Sequence, residues 1–599
     1  MKTKIHDTWK LENLFSSLQD PAIEKETKEL DTRVNAFVAK WRENDSYIKE
    51  RSQLFVALQE YELLITKGGG EGEQGYYAGL LSALDQLSPD IKAFASKIDE
   101  AAKKRDIALQ FFGLTLGKAD KAFQKEVLAD PKFKHYRYFL SRVFDTAKYD
   151  LSEKEEAVIT QLSSVASGNW SELTSQELSR KTATITINGK KKKATIGELS
   201  ELSHHWDKKL RDDAGKKMAK LIGQLKHIAL AEINSILEYK KVQRELRGAA
   251  RPDTFRHIGD DVTPEIVDTL RDAVVSKNDI PRKYYELKAK LLGQEILEYY
   301  ERGVEFPVTE GSYSFEQAMD LVSRVFNSLD PEFGSIVDSF LSQGAFDVYP
   351  RKGKASGAFC AHHLVTSPVY ILLNFTSTMN DVRTIAHEAG HGIHNELMRA
   401  VKSGLYYHAS LATAEVASTF MEDFVTEELF ATADDETRLK LLMNSLNDDI
   451  ATIFRQIACY NFEWELHTEF AKKMHLSEKE IATIFKKHME AYMGNAVSQK
   501  VGGNHFWIYW SHIRSSFYVY SYASGLLISK ALQHMVKNDK SELEKFKSIL
   551  AQGASASPAE LFFSVGIDMT DKKFWEKGLQ TVEDKLHEAT ELAKKLGKI

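Results

Sequence analysis

Asp381-Val382-Arg383-Thr384-Ile385-Ala386-His387-Glu388-Ala389-Gly390-His391-Gly392-Ile393-His394 carries two patterns at once. Val382, Ile385, Ala386, Ala389 and Ile393 recur at three- and four-residue spacing, the apolar stripe of an amphipathic α-helix. On that helix His387 and His391 fall about one turn apart, so both rings can face one ion. Glu388, one position beyond the first histidine, projects into the neighbouring sector. Asp381 suits a helix N-terminus. Gly390 and Gly392 each cost about 1 kcal/mol of helix propensity relative to Ala. Small residues there would let another element approach closely.

A catalytic zinc site commonly takes imidazole nitrogen and carboxylate oxygen from three protein groups and leaves a fourth position to water. Downstream, Leu411-Ala412-Thr413-Ala414-Glu415-Val416-Ala417-Ser418-Thr419-Phe420-Met421-Glu422-Asp423 reads as a second helix with Glu415 and Glu422 on one face. Glu415 sits among Ala, Val and Phe, where an unpaired carboxylate is costly to bury and a metal would relieve the cost. The expected donors for one Zn2+ are therefore His387, His391 and Glu415. Glu422 is expected behind them, accepting a hydrogen bond from a ligating histidine.

Further out, most of the chain repeats the helical pattern. Prolines number only 11 in 599 residues, and charges alternate with Leu, Ala, Phe and Ile over 21–61 and 91–128. Between these stretches, the glycines of 68–75 read as a flexible loop. Strand signals are few. Thr182–Ile187 alternates and runs into Asn188-Gly189, a hairpin turn signal, followed by Lys190–Lys193 as a solvated edge. Ala345–Tyr349 and the β-branched, aromatic run Val369–Phe375 are the other candidates. Lys352–Cys360, with its glycines, reads as a mobile loop. The expected organisation is an N-terminal helical lobe over 1–200, carrying the hairpin near 182–196, and a catalytic domain over 201–599.

The segment His505–Tyr522 is dense in aromatics. Much of it suits core packing, but His512 and one of Tyr518, Tyr520 and Tyr522 have the right chemistry to donate a hydrogen bond to a tetrahedral oxyanion. Arg514 could bind a peptide carboxylate or pair on the surface.

Composition narrows the classes. A net charge of −6, from 80 basic and 86 acidic residues dispersed along the chain, gives no reason to invoke nucleic acid or anionic membrane as partner. Two cysteines, Cys360 and Cys459, cannot build a disulfide framework or a thiolate zinc site. The N-terminus lacks a signal-peptide core, and no apolar run spans a bilayer. A cytoplasmic setting is expected.

These residues resemble the oligoendopeptidase F family, related to thimet oligopeptidase. Trp9-Lys10-Leu11-Glu12-Asn13-Leu14-Phe15, Asp347-Val348-Tyr349, Lys352-Gly353-Lys354 and Ser356-Gly357-Ala358-Phe359 carry the likeness. So do Leu373-Asn374-Phe375-Thr376 leading to His387-Glu388-Ala389-Gly390-His391, and Ile513–Ala523. The resemblance implies a mainly α, multi-helix, two-lobed body around a deep channel, with a small β-sheet beside the metal-binding helix. It implies zinc on His387, His391 and Glu415, Glu388 as general base, and His512 assisting the oxyanion. It also implies short unstructured peptides as substrates, pairing with the strand at Leu373, Asn374 and Phe375.

The expected activity is zinc-dependent endopeptidase cleavage of short peptides by an attacking water that Glu388 deprotonates. A metallocarboxypeptidase could share the motif but needs a carboxylate clamp, for which Arg514 is the candidate. A helical peptide-binding protein without catalysis would have no need of Glu388.

Overall fold

The computed structural model describes residues 6–308, 312–409, 411–431 and 433–599. The chain is mainly α, 70% helical, with only small sheets among the described residues. It divides into two compact units. One comprises Met1–Asp150, Glu310–Leu429 and Asp539–Gly566; the other comprises Leu151–Thr309, Phe430–Asn538 and Ile567–Ile599. Neither is one stretch of chain, so compactness divides the molecule differently from the linear boundary expected at 200.

The first unit holds the segment read first. Its helical core packs Phe37, Trp41, Tyr47 and Phe112 around edge-on and tilted ring contacts. A second cluster joins Trp9, Phe15 and Tyr77 to Tyr370 and Leu372. Trp9 Nε1 donates to Ile371 O at 2.9 Å, and Tyr370 Oη donates to Lys10 O at 2.8 Å. The opening segment of the chain is thus a structural part of the sheet.

That sheet has three strands, β1 (Phe346–Asp347), β2 (Phe359–Ala361) and β3 (Tyr370–Leu372). Their order is β1-β3-β2, with β1 parallel and β2 antiparallel to β3. Both expected strand regions contribute, over fewer residues than the patterns covered. Phe359 and Cys360, read as the end of a mobile loop, instead form β2; three residues are too few to show an alternation.

Beside the sheet runs the His-Glu helix, Met379–Met398. Thr378 caps it, and Asp381 at the third helical position completes a capping box, satisfying backbone donors that would otherwise lack partners. The glycine-bearing loop near 70 is shorter than its composition implied. Gly68, Gly69 and Gly72 take positive φ, but a helix already begins at Gly72.

In the second unit the expected hairpin pairs Thr182–Ile187 with Lys190–Thr195, turning through Asn188 and Gly189 at φ 49° and 77°. Only Ile185 and Ala194 of these strands are buried, which leaves the lysines to solvent. The C-terminal helix Lys572–Lys595 packs on Tyr520–Asn538, Asp435–Thr452 and Pro264–Ser276. Among the described residues, no helix is long and apolar enough to cross a membrane.

Candidate metal centre

The His-Glu helix and the helix Leu411–Ala431 approach so closely that glycine is required between them. A Cβ at Gly390 would stand 2.7 Å from Ser418 Cα and 3.0 Å from Ala417 O. On its other flank, a Cβ at Gly392 would meet the Phe340 ring at 2.5 Å. The two costly glycines therefore let the acid-bearing helix seat against the histidine-bearing one.

This approach gathers His387, His391 and Glu415, one donor atom from each lying within 4.8 Å of the others. Glu415 Oε2 is 3.4 Å from His387 Nε2 and 3.8 Å from His391 Nε2. Tetrahedral donors at zinc distances stand about 3.3 Å apart, so the spacing and the N/N/O chemistry both fit a divalent ion such as zinc. The two imidazole planes cross at 83°, with ring centroids 5.0 Å apart.

Behind this set, His387 Nδ1 lies 3.0 Å from Glu422 Oε2. Arg383 donates to the other oxygen of Glu422 at 2.8 Å. The arrangement leaves Nε2 of His387 turned toward Glu415. Ser418 Oγ steadies Glu415 from within its own helix, at 3.3 Å. Arg383 lies four residues before His387, and that spacing is the signal by which the sequence could have exposed it.

The electrostatics favour a cation at this point. Burial works against charge on His387, but hydrogen bonding to Glu415 and Glu422 outweighs it and raises the ring to about 10. Burial, then the neighbouring His387, lowers His391 to about 4. Burial also opposes the charge on Glu422, yet His387 and Arg383 bring it down to about 2. Glu388 is buried in the next helical sector; burial chiefly lifts its carboxyl to about 7, with the His387 charge opposing. A carboxyl near neutrality can both take and return a proton.

The segment expected to pair with substrate is already paired along one side. Leu373 N–H already donates to Asp347 O at 2.8 Å, and Phe375 N–H to Val348 O at 3.0 Å. The Asn374 side chain reaches across to Ala355 O and Gly357 O. Strand addition needs unpaired backbone, and here β3 is the middle strand. β2 is an outer strand and packs against the His-Glu helix.

Within the second unit, His512 and two of the three tyrosines come together. His512 Nε2 lies 3.2 Å from Tyr522 Oη, Tyr518 Oη hydrogen-bonds to Tyr522 Oη, and the His512 and Tyr518 rings stack at 5.6 Å. Tyr520 is apart from them. It is buried, and its hydroxyl donates to Asp260 at 2.5 Å. A group that sequence reading missed shapes this turn. Ser516 and Phe517 are consecutive non-glycine residues at φ 47° and 60°, and the buried Glu463 accepts the Phe517 N–H at 3.1 Å. Arg514 is no clamp: its guanidinium forks onto buried Glu232 at 2.8 and 2.9 Å.

Residues 202–581 match Peptidase family M3, and residues 116–180 match Oligopeptidase F. The chain is 25% identical to Oligopeptidase PepF of Bacillus subtilis over 615 residues, covering 99% of this chain and 88% of that one. A solved structure from Chlamydophila abortus superposes with a TM-score of 0.84 at 21% identity over 98% of each chain. Oligoendopeptidase-F from Enterococcus faecium does so with a TM-score of 0.70 at 20% identity, over 96% of this chain and 99% of that one.

Proposed function

The chain belongs to peptidase family M3 and is a metallo-oligopeptidase, and from that premise we propose that it is a zinc endopeptidase of short, unstructured peptides. The observation that carries this reading is the convergence of His387, His391 and Glu415, with Glu388 one residue beyond the first histidine. Those three side chains would hold the ion. When bound, zinc acidifies water and polarises a carbonyl. Glu422, braced by Arg383, holds His387 in the tautomer that leaves Nε2 available. Glu388 accepts the proton of the attacking water and passes it to the leaving amine, a role for which its near-neutral carboxyl is suited.

The substrate backbone adds as a strand to the outer edge of β2, the strand that packs beside the His-Glu helix. His512 with Tyr522 and Tyr518 supplies oxyanion donors; this assignment rests on the family resemblance and on the hydrogen-bonded chain these three form. This reading leaves Tyr520 out of that role, because its hydroxyl donates to Asp260 instead.

Glu388→Gln tests the reading. The variant should keep one zinc per chain by elemental analysis yet lose about 10²-fold or more of its turnover on quenched peptides. Retained turnover would remove Glu388 as the base. Mass spectrometry of products from peptides of graded length should show internal cuts; stepwise loss of single C-terminal residues would make the enzyme a carboxypeptidase instead.

A further inference from the structure

A cavity of about 620 Å³ inside the second unit is lined by Arg302, Arg455, His204 and His512, together with aromatic side chains. We propose that it binds a carboxylate carried by a peptide, an assignment that rests on the peptidase reading for the nature of its occupant.

The two arginines carry the argument. Arg302 is only 7% exposed; one of its N–H groups donates to Tyr299 O at 2.7 Å, while its Nε has no partner. Its guanidinium lies 4.0 Å from the Tyr299 ring centroid and 4.6 Å from that of Phe506. The Nε of Arg455 is likewise buried without a partner, and its guanidinium sits 5.1 Å from the Trp510 ring. Among the described residues, neither forms an ion pair. A guanidinium keeps its charge at any working pH, so a buried one calls for a counter-ion.

Two other arginines that line the interior of the same unit have theirs. Arg211 meets Glu301 at 2.8 Å, and Arg514 is held by Glu232. The carboxylates that line the cavity, Glu305 and Asp448, are both exposed and pair with neither arginine. The local potential is positive: burial, and then Arg302, Lys288 and Arg455, lower His204 to about 4. Planar, forked donors over aromatic rings suit a carboxylate, with the faces of Phe506 and Trp510 beside it for an apolar side chain. Because His512 shares this wall, the anion expected there is one a peptide brings, its C-terminal carboxylate or an acidic side chain.

Calorimetric titration of the zinc-loaded protein in the Glu388→Gln background tests this. Three acetylated pentapeptides are compared: a neutral one ending in a carboxylate, its amide, and an amide with one internal Glu. If the ligand is still cut, the same comparison is read as KM. One of the two acidic peptides should bind roughly tenfold to a hundredfold more tightly than the neutral amide, and which one does identifies the carboxylate. Arg455→Met should collapse that preference toward unity, and Arg455→Lys should retain part of it, with thermal midpoints confirming folding. Equal affinity for acid and amide, or a preference that survives Arg455→Met, would overturn the proposal. So would tighter binding of inorganic phosphate alone. If the unmutated enzyme cuts no peptide, the peptidase reading fails, whereas an Arg455-dependent carboxylate preference would still establish the site.

Discussion

At the scale of single residues, the centre is built from pairs that constrain one another. His387 is held at Nδ1 by Glu422, and Glu422 is held by Arg383, so an orientation set by one hydrogen bond is transmitted to the atom that would meet the metal. Removing the charge of Glu422 while keeping its shape isolates that effect. Glu422→Gln should weaken zinc affinity by about 10- to 100-fold, measured by competition with a chromophoric chelator. The fold should be unchanged by far-UV circular dichroism. An unaltered affinity would reduce Glu422 to a structural ion-pair partner of Arg383. The motif His-Glu-x-x-His was legible as a pair of imidazoles because helical spacing alone sets their relation. Glu415 was legible only as a carboxylate in apolar company, and its distance from the rings depends on where a second helix lies.

At the scale of elements, helix packing makes the site, and its glycines make the packing. Gly390 faces Ser418 Cα and Ala417 O, both backbone atoms that cannot rotate out of the way. Gly390→Ala should therefore push the two helices apart. We expect about 1–3 kcal/mol of destabilisation, read from urea midpoints, together with weaker zinc retention, because Glu415 moves with its helix. A stabilised variant would show that Ala's better helix propensity outweighs the clash. The sheet illustrates the opposite limit of legibility. Val369–Phe375 announced a strand by its residue types, but not that it would be the middle one. Edge or centre is decided by partners remote in the chain: β1 on one side, β2 on the other, and Trp9 closing over the Ile371 carbonyl.

At the scale of the whole molecule, each unit keeps charged groups inside an apolar body, and their titration couples to folding. Lys288 is fully buried, with its ammonium on Arg302 O at 2.6 Å and Asn447 Oδ1 at 3.1 Å. Burial above all lowers it to about 7; Glu305 and Asp448 act to raise it, Arg302 and Arg211 to lower it further. The sign follows from proton counting. Between about pH 7 and its ordinary value of 10.5, the unfolded chain holds a proton on Lys288 that the folded chain lacks, so stability rises with pH through that window. Below pH 7 both states are charged, and the cost of the buried ammonium is felt in full. The stability difference between Lys288→Met and the unmutated protein should therefore favour the variant most at pH 6 and shrink toward pH 9, as read from urea unfolding at the two values. A difference independent of pH would show that Lys288 is not neutralised by folding.

Local chemistry settled the secondary-structure class, the hairpin at Asn188-Gly189, the helix bearing His387 and His391, and the acids able to join them, because helical and strand periodicities act over a few residues. Three-dimensional packing alone decided that both compact units are interleaved along the chain, that β3 has no free edge, that Tyr520 is spent on Asp260 while Tyr518 and Tyr522 join His512, and that Arg514 is neutralised by Glu232 whereas Arg302 and Arg455 have no ion-pair partner among the described residues. The reason is physical: a side chain's partner is whichever group the fold brings within a few ångströms, and for Arg514 and Glu232 that group lies hundreds of residues away in sequence.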